Sequence, residues 1–186
     1  MARRLDQIVV IDVESTCWSG ALPDGQISEI IEIGICTVAV ATLERPEKRS
    51  ILVKPERSEI SEYCTELTTL TPDMFTDART FRDAVQILKK EYHTKERLWA
   101  SWGDYDRRQF ERVCREYGVE YPFGVSHLNV KTLFATATTQ RHEIGLDAAY
   151  KKLGMTMEGT HHRGDDDAWN IAEVLCYLLR QIRNKE

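Results

Sequence analysis

Ile8-Val9-Val10-Ile11-Asp12-Val13-Glu14-Ser15 is the stretch on which the fold turns. Four consecutive branched apolar residues read as a strand buried on both faces, at the centre of a sheet rather than its edge. The run stops at Asp12, and the period of two along a strand puts the Asp12 and Glu14 carboxylates on the same side. Two acids on one face repel, and neither is buried without compensation. For a lone Asp-x-Glu the commoner explanation is a solvated strand end. The chemical alternative is a bound divalent cation, because hard cations select carboxylate oxygens.

The pattern around this strand predicts the rest of the sheet. The first strand covers Leu5–Val13, and Cys17–Gln26, with its Ser-Gly and Pro-Asp-Gly turns, is a loop. A long strand over Glu29–Thr42 and a third over Ser50–Lys54, joined by Glu44-Arg45-Pro46-Glu47, make an antiparallel meander. From Ser58 the apolar period lengthens. Short helical turns are expected at Ser61–Glu66 and Pro72–Phe75. An amphipathic helix follows, with Phe81, Ala84, Val85, Leu88 and Tyr92 on one face and Thr80 as its cap. Leu98–Trp102 is a strand, Tyr105–Tyr117 a helix and His127–Val130 a fifth strand. Helices are then expected over Lys131–Thr138, Gly145–Leu153 and Asp165–Arg183. In the last of these Ala168, Ile171, Ala172, Leu175, Leu178, Leu179 and Ile182 form one apolar stripe. Three meandering strands followed by alternating helices and strands predict a mixed α/β sheet flanked by helices.

With 186 residues, 42% of them hydrophobic and 30% charged, the chain suits one domain, residues 1–186, with a core of its own. The apolar runs Ile8–Ile11 and Ile33–Ala41 are too short or too interrupted to span a bilayer, and the N-terminus carries no signal-peptide pattern. A cytoplasmic location is the expectation. Five scattered cysteines without a Cys-x-x-Cys pair argue against a disulfide framework and a zinc site; only Cys17, near the acids, has a place where it would do more than pack. The net charge of −5 argues against a protein that coats duplexes non-specifically, but not against an enzyme that bridges acids to phosphate through cations.

Two further segments carry chemistry. In His161-His162-Arg163-Gly164-Asp165-Asp166-Asp167, the helix dipole accounts for acids opening a helix, and so for Asp165 and Asp166. Asp167 adjoins the first residue of the apolar stripe, so it turns inward and needs a partner, which a cation on Asp12 would supply. A loop histidine beside it suits a general base; the residues alone leave His161 and His162 both open. In Ala100-Ser101-Trp102-Gly103-Asp104-Tyr105-Asp106, a strand gives way to a helix, with Asp104 at a capping position and Asp106 in the first turn.

Taken in order, IVVIDVESTCW (8–18), SEIIEIGICTV (28–38), YCTELTTLTPDMF (63–75), SWGDYDRRQF (101–110) and LGMTMEGTHHRGDDDAWNIA (153–172) resemble the DEDDh 3′→5′ exonucleases. That family belongs to the ribonuclease-H-like superfamily, and the likeness is strongest to the enhanced-RNAi (Eri-like) and KapD-like exoribonucleases. The resemblance implies a ribonuclease-H-like five-stranded mixed sheet and a two-metal hydrolysis with Mg²⁺ or Mn²⁺. Asp12, Glu14, Asp106 and Asp167 would be the metal ligands and His162 the base. His162 is preferred because it lies five residues before Asp167 and opens the family's His-x-Gly-x-Asp-Asp pattern, and Asp106 over Asp104 because it follows an aromatic residue. The implied substrate is single-stranded RNA or a short 3′ overhang, releasing nucleoside 5′-monophosphates. Glu14, Ser15, Thr16, Cys17, Trp18, Ile30 and His162 are the expected substrate contacts; Cys17, Trp18 and Ile30 would pack on the terminal base. Arg107, Arg108, Arg141 and Arg163 are candidate cations for phosphates, although scattered arginines are more often simply solvated. The alternatives are a DEDDh DNA exonuclease and a non-catalytic nucleic-acid-binding regulator on the same scaffold.

Overall fold

A computed structural model describes residues 4–184; residues 1–3 and 185–186, the two ends of the expected single-domain span, lie outside that description. Five strands form one sheet in the order β3-β2-β1-β4-β5. β1 (Arg4–Ser15) pairs antiparallel with β2 (Ile30–Ala39), which pairs antiparallel with β3 (Glu47–Leu52). On its other side β1 pairs parallel with β4 (Arg97–Ser101), and β4 pairs parallel with β5 (His127–Asn129). The Ile8–Ile11 run is therefore central, as its composition requires, with Val9, Val10 and Ile11 fully buried.

The period of two divides the core in half. Val9, Ile11 and Val13 face α2 (Phe81–Glu91) and α3 (Tyr105–Glu116), where Phe81, Val85, Trp99 and Phe110 join them. Ile8 and Val10 face α4 (Val130–Ala137), α5 (Leu146–Leu153) and α6 (Gly164–Arg183), packing with Phe134, Tyr150, Ile171 and Leu175. Asp12 and Glu14 continue the second series, so both carboxylates point toward the face that α6 covers. α1 (Glu62–Thr68) and a 3₁₀ turn (Pro72–Phe75) close the end of the sheet over Ile31. Thr80 caps α2 by accepting a hydrogen bond from the Asp83 N–H, as its position predicts.

Most strand ends shift from the pattern by one to three residues, and the second strand stops at Ala39 rather than Thr42. The third strand begins at Glu47 rather than Ser50. It is an edge strand, where charged residues such as Lys48 and Arg49 are the norm, so a search for apolar alternation misses its start. The apolar stripe of α6 stops at Leu179, for Ile182 is 59% exposed where the helix outruns the sheet.

The position of α6 is set by two glycines. Gly34 lies directly across the ladder from Asp12, and the first turn of α6 rests on it. A Cβ built on Gly34 would fall 1.8 Å from the Gly164 carbonyl carbon and oxygen and 2.3 Å from the Asp165 nitrogen. A Cβ on Gly164 would lie 2.9 Å from the Gly34 nitrogen. The helix thus meets the sheet backbone to backbone one turn before Asp167. Gly34→Ala is expected to destabilise the fold by about 1–3 kcal/mol or more through overpacking, read from the urea midpoint, and to push α6 off the sheet; a midpoint equal to wild type would show that the contact is not tight.

Candidate active site

Three carboxylates meet where β1 ends beneath α6. Asp12 and Glu14 are half-buried, Asp167 is buried, and one carboxylate oxygen of each lies within 4.8 Å of the other two. The fourth acid, Asp106, comes from the first turn of α3, is 3% exposed, and accepts the Val13 N–H at 3.0 Å. It is thereby locked to the backbone between the other two strand acids. All four line a cleft of about 380 Å³ shared with Trp102, Tyr105 and both histidines. Asp104 is at the N-cap position of α3 but does not cap it; its carboxylate faces Arg107 and His127 instead. A larger cavity, about 520 Å³ between Lys54 and Phe75, includes one carboxylate, Glu59, and no histidine or cysteine.

The cluster is electrostatically unsatisfied. Burial, then the charges of Asp106, Glu14 and Asp167, hold the Asp12 carboxyl well above the usual carboxylate range. Glu14 is pushed up to about 8 by burial and by Asp167 and Glu32, opposed by Arg163. Asp106 is raised to about 6, mostly by burial, against the Val13 N–H bond. Converging oxygen donors whose ionised forms repel one another are the donor set a hard divalent cation takes.

Both histidines reach Asp167. The His162 N–H donates to Asp167 Oδ2 at 2.9 Å, and His161 Nδ1 lies 3.0 Å from Oδ1. The two imidazoles stack with centroids 4.0 Å apart, and His162 takes a left-handed backbone, φ 64°. Thus the ring in contact with the carboxylate is that of His161, while His162 stands half-buried beside it. Burial and the neighbouring His161 lower the His162 pKa, which keeps its ring neutral and able to accept a proton.

The expected substrate contacts divide. Ser15 and Cys17 line the cleft. The Ser15 hydroxyl accepts from Gln109 Nε2 at 2.8 Å, and burial pushes the Cys17 thiol up to about 12, so Cys17 offers an apolar wall rather than a nucleophile. Thr16 is committed to the fold: its N–H donates to the Glu29 carbonyl, and its hydroxyl bridges Ile27 and Glu29. Ile30 is 1% exposed within the α2–α3 core, and neither it nor Trp18 lines the cleft. Arg163, read from sequence as a cation for phosphates, is instead held by Glu32 through Nε at 3.2 Å and Nη2 at 2.9 Å.

Glu32 itself escaped the sequence reading. It is fully buried on β2, opposite Glu14, and also accepts the Gly164 N–H at 2.9 Å and the Ser50 hydroxyl at 2.5 Å. Arg163, the N-cap of α6, makes no side-chain cap, so a carboxylate from the neighbouring strand satisfies the helix's first N–H. An acid inside the apolar run Ile30-Ile31-Glu32-Ile33 was the available signal, since a buried acid requires partners.

Residues 9–175 match the family model described as Exonuclease, RNase_T. The chain belongs to this exonuclease family. Human 3'-5' exoribonuclease 1 is 31% identical over 188 residues, an alignment covering 94% of this chain and 53% of that protein. The probable 3'-5' exonuclease KapD of Bacillus subtilis is 26% identical, covering 88% of this chain and 80% of its own. Among solved structures, the nuclease domain of 3'hExo, a DEDDh family member bound to rAMP, superposes with a TM-score of 0.85 at 26% identity, covering 97% of this chain and 95% of that one. The chain spans about half the length of the mammalian relatives it matches. The ribonuclease-H-like sheet expected from the resemblance is the fold observed.

The raised acids give a sign to the pH dependence of stability. A carboxyl raised in the folded chain contributes stability below its unfolded pKa and loses it as pH rises through the folded value. Without metal, the thermal midpoint should fall between about pH 5 and pH 8 as Glu14 ionises. Added Mg²⁺ or Mn²⁺ should restore it, and by more at pH 8 than at pH 6, because cation and proton compete for the same oxygens. Differential scanning fluorimetry showing an equal metal-induced shift at both pH values would contradict this account of the site.

Proposed function

We propose that this chain is a metal-dependent 3′→5′ exonuclease that removes nucleoside 5′-monophosphates from single-stranded RNA or short 3′ overhangs. The observation that carries the reading is the convergence of Asp12, Glu14 and Asp167, with Asp106 fixed behind them and an imidazole alongside, in one cleft of an exonuclease-family chain. Asp12, Glu14, Asp106 and Asp167 are the residues to hold two divalent cations, Mg²⁺ or Mn²⁺. Bound there, the pair would supply an activated water, charge neutralisation at the phosphate and stabilisation of the leaving 3′-oxygen.

The chain's own groups do the rest. His162, kept neutral by its surroundings, accepts a proton from the attacking water at an imidazole nitrogen. Its N–H bond to Asp167 fixes the distance between base and ligand. Cys17 and Leu67 give the cleft an apolar wall on which a terminal base can lie, and Ser15 presents a polar edge positioned by Gln109. Preference for RNA is supported by the names of the relatives, exoribonucleases and a domain bound to rAMP. Residues 1–186 are taken as a single exonuclease domain. Five free cysteines accord with a cytoplasmic setting, and among the described residues no helix is long and apolar enough to cross a membrane.

The test is a gel of matched RNA and DNA single strands, labelled at either end, with and without Mg²⁺ or Mn²⁺. Metal-dependent loss of label from the 3′ end, faster on RNA, is expected. Cleavage of DNA alone would move the assignment to a DNA exonuclease, and no cleavage of any strand would support the non-catalytic reading. Asp12→Ala should lose cleavage while keeping the wild-type circular dichroism; activity within a few-fold of wild type would remove Asp12 from the site. His162→Ala should lower turnover by about 10²–10⁴-fold, the usual share of a general base, with metal affinity little changed. If His161→Ala has that effect and His162→Ala does not, the base is His161.

A further inference from the structure

Asp167 stands at the junction of two ligand sets that differ in kind. On the strand side it faces Asp12 and Glu14, all oxygen donors. On the loop side it faces His161 and His162; one ring nitrogen of each and one Asp167 oxygen lie within 4.8 Å of one another. Oxygen-only sets suit magnesium and manganese, whereas imidazoles favour zinc, which also outranks manganese in affinity for a given mixed site.

We propose that His161, His162 and Asp167 form a second site, overlapping the all-oxygen set at Asp167, for a zinc-class cation, and that its occupation shuts off the nuclease. Three observations support it. First, His161 Nδ1 is 3.0 Å from Asp167 Oδ1. Zinc bond lengths of about 2.0–2.2 Å give a tetrahedral nitrogen–oxygen edge of roughly 3.4 Å, so an ion would replace the shared proton with a movement of about 0.4 Å. Second, consecutive side chains ordinarily diverge, yet these two rings lie on the same side with centroids 4.0 Å apart and His162 at φ 64°; their planes are 27° from parallel, so one ring turns about its side-chain bonds to bring both in-plane lone pairs onto one ion. A left-handed non-glycine residue costs about 1–3 kcal/mol and persists where its surroundings hold it; here the Asp167 carboxylate pins its N–H. Third, the His161 side chain is 48% exposed and Asp167 6%, so an ion arriving from solvent meets an accessible imidazole above a buried acid. A water completes four-coordination, the arrangement of three-ligand zinc sites.

The consequence follows from shared atoms. A cation held by the two imidazoles occupies Asp167, which the hard-ion set needs, and takes the lone pair that His162 needs as a base. The two occupancies exclude each other. This inhibition rests on the nuclease reading; the binding site does not.

The experiment titrates zinc chloride into the metal-free 186-residue chain by calorimetry, for wild type, His161→Ala and His161→Asn. The asparagine variant keeps a polar side chain at this partly exposed position but supplies no imidazole. One zinc is expected in wild type, weakened at least about tenfold in both variants. Cobalt in place of zinc should give a tetrahedral visible spectrum without a thiolate charge-transfer band. Equal zinc affinity in wild type and both variants overturns the site, as does a thiolate band, which would put the ion on a cysteine. In magnesium-supported cleavage, zinc should inhibit wild type at concentrations about tenfold or more below those needed for His161→Ala, each compared with its own zinc-free rate. Equal inhibition overturns the regulatory part. A chain that binds zinc through His161 but cleaves nothing leaves the site standing and removes the nuclease reading; cleavage without His161-dependent zinc binding does the reverse.

Discussion

The backbone contact between Gly34 and Gly164 governs the geometry of everything above the sheet. Most helices pack on a sheet through side chains, which leaves the two backbones too far apart for a short acid on one to meet a short acid on the other. Here neither partner has a Cβ, and the first turn of α6 lies directly on the ladder position opposite Asp12. Asp167, one turn further on, is therefore brought within reach of Asp12 and Glu14 although 153 residues separate Glu14 from it in sequence. Glu32 secures the same contact electrostatically by accepting the Gly164 N–H and pairing with Arg163.

The buried and half-buried acids fall into two classes by what they touch. Glu32 is surrounded by donors, and Glu29 accepts the Glu56 and Arg57 N–H groups and the Tyr117 hydroxyl. These carboxylates are structural: both are hydrogen-bonded within the fold, and Glu32 has the Arg163 cation beside it. Asp12 and Glu14 differ: the influences on Asp12 all raise its pKa, and only Arg163 among the leading influences on Glu14 opposes the rise. Charge left unmatched at one place, in a chain able to match it elsewhere, marks where an external cation belongs. The same contrast explains the net charge of −5, part of which is concentrated in a cleft rather than spread over a solvated surface.

Much of this was legible in advance because it depends on local periodicity. The central strand, the meander, the capped α2 and the inward turn of Asp167 follow from spacings of two or about 3.6, which need no knowledge of distant residues. Where reading failed, the deciding fact lay elsewhere in the chain. The start of β3 was hidden because an edge strand need not be apolar. Thr16 and Ile30 looked available for substrate, but Glu29 and the α2–α3 core had already engaged them. Arg163 looked like a cation for phosphate until β2 supplied Glu32 beside it.

The sequence by itself determined the succession of strands and helices, the family resemblance and which acids are candidates, because alternation and motif spacing are properties of neighbouring residues. Only the tertiary structure decided how closely the acids approach, that a buried Glu32 anchors α6, and that both His161 and His162 converge on Asp167. Those outcomes depend on where a helix rests on a sheet. That position is set by a glycine pair 130 residues apart, whose meaning appears only when the two backbones touch.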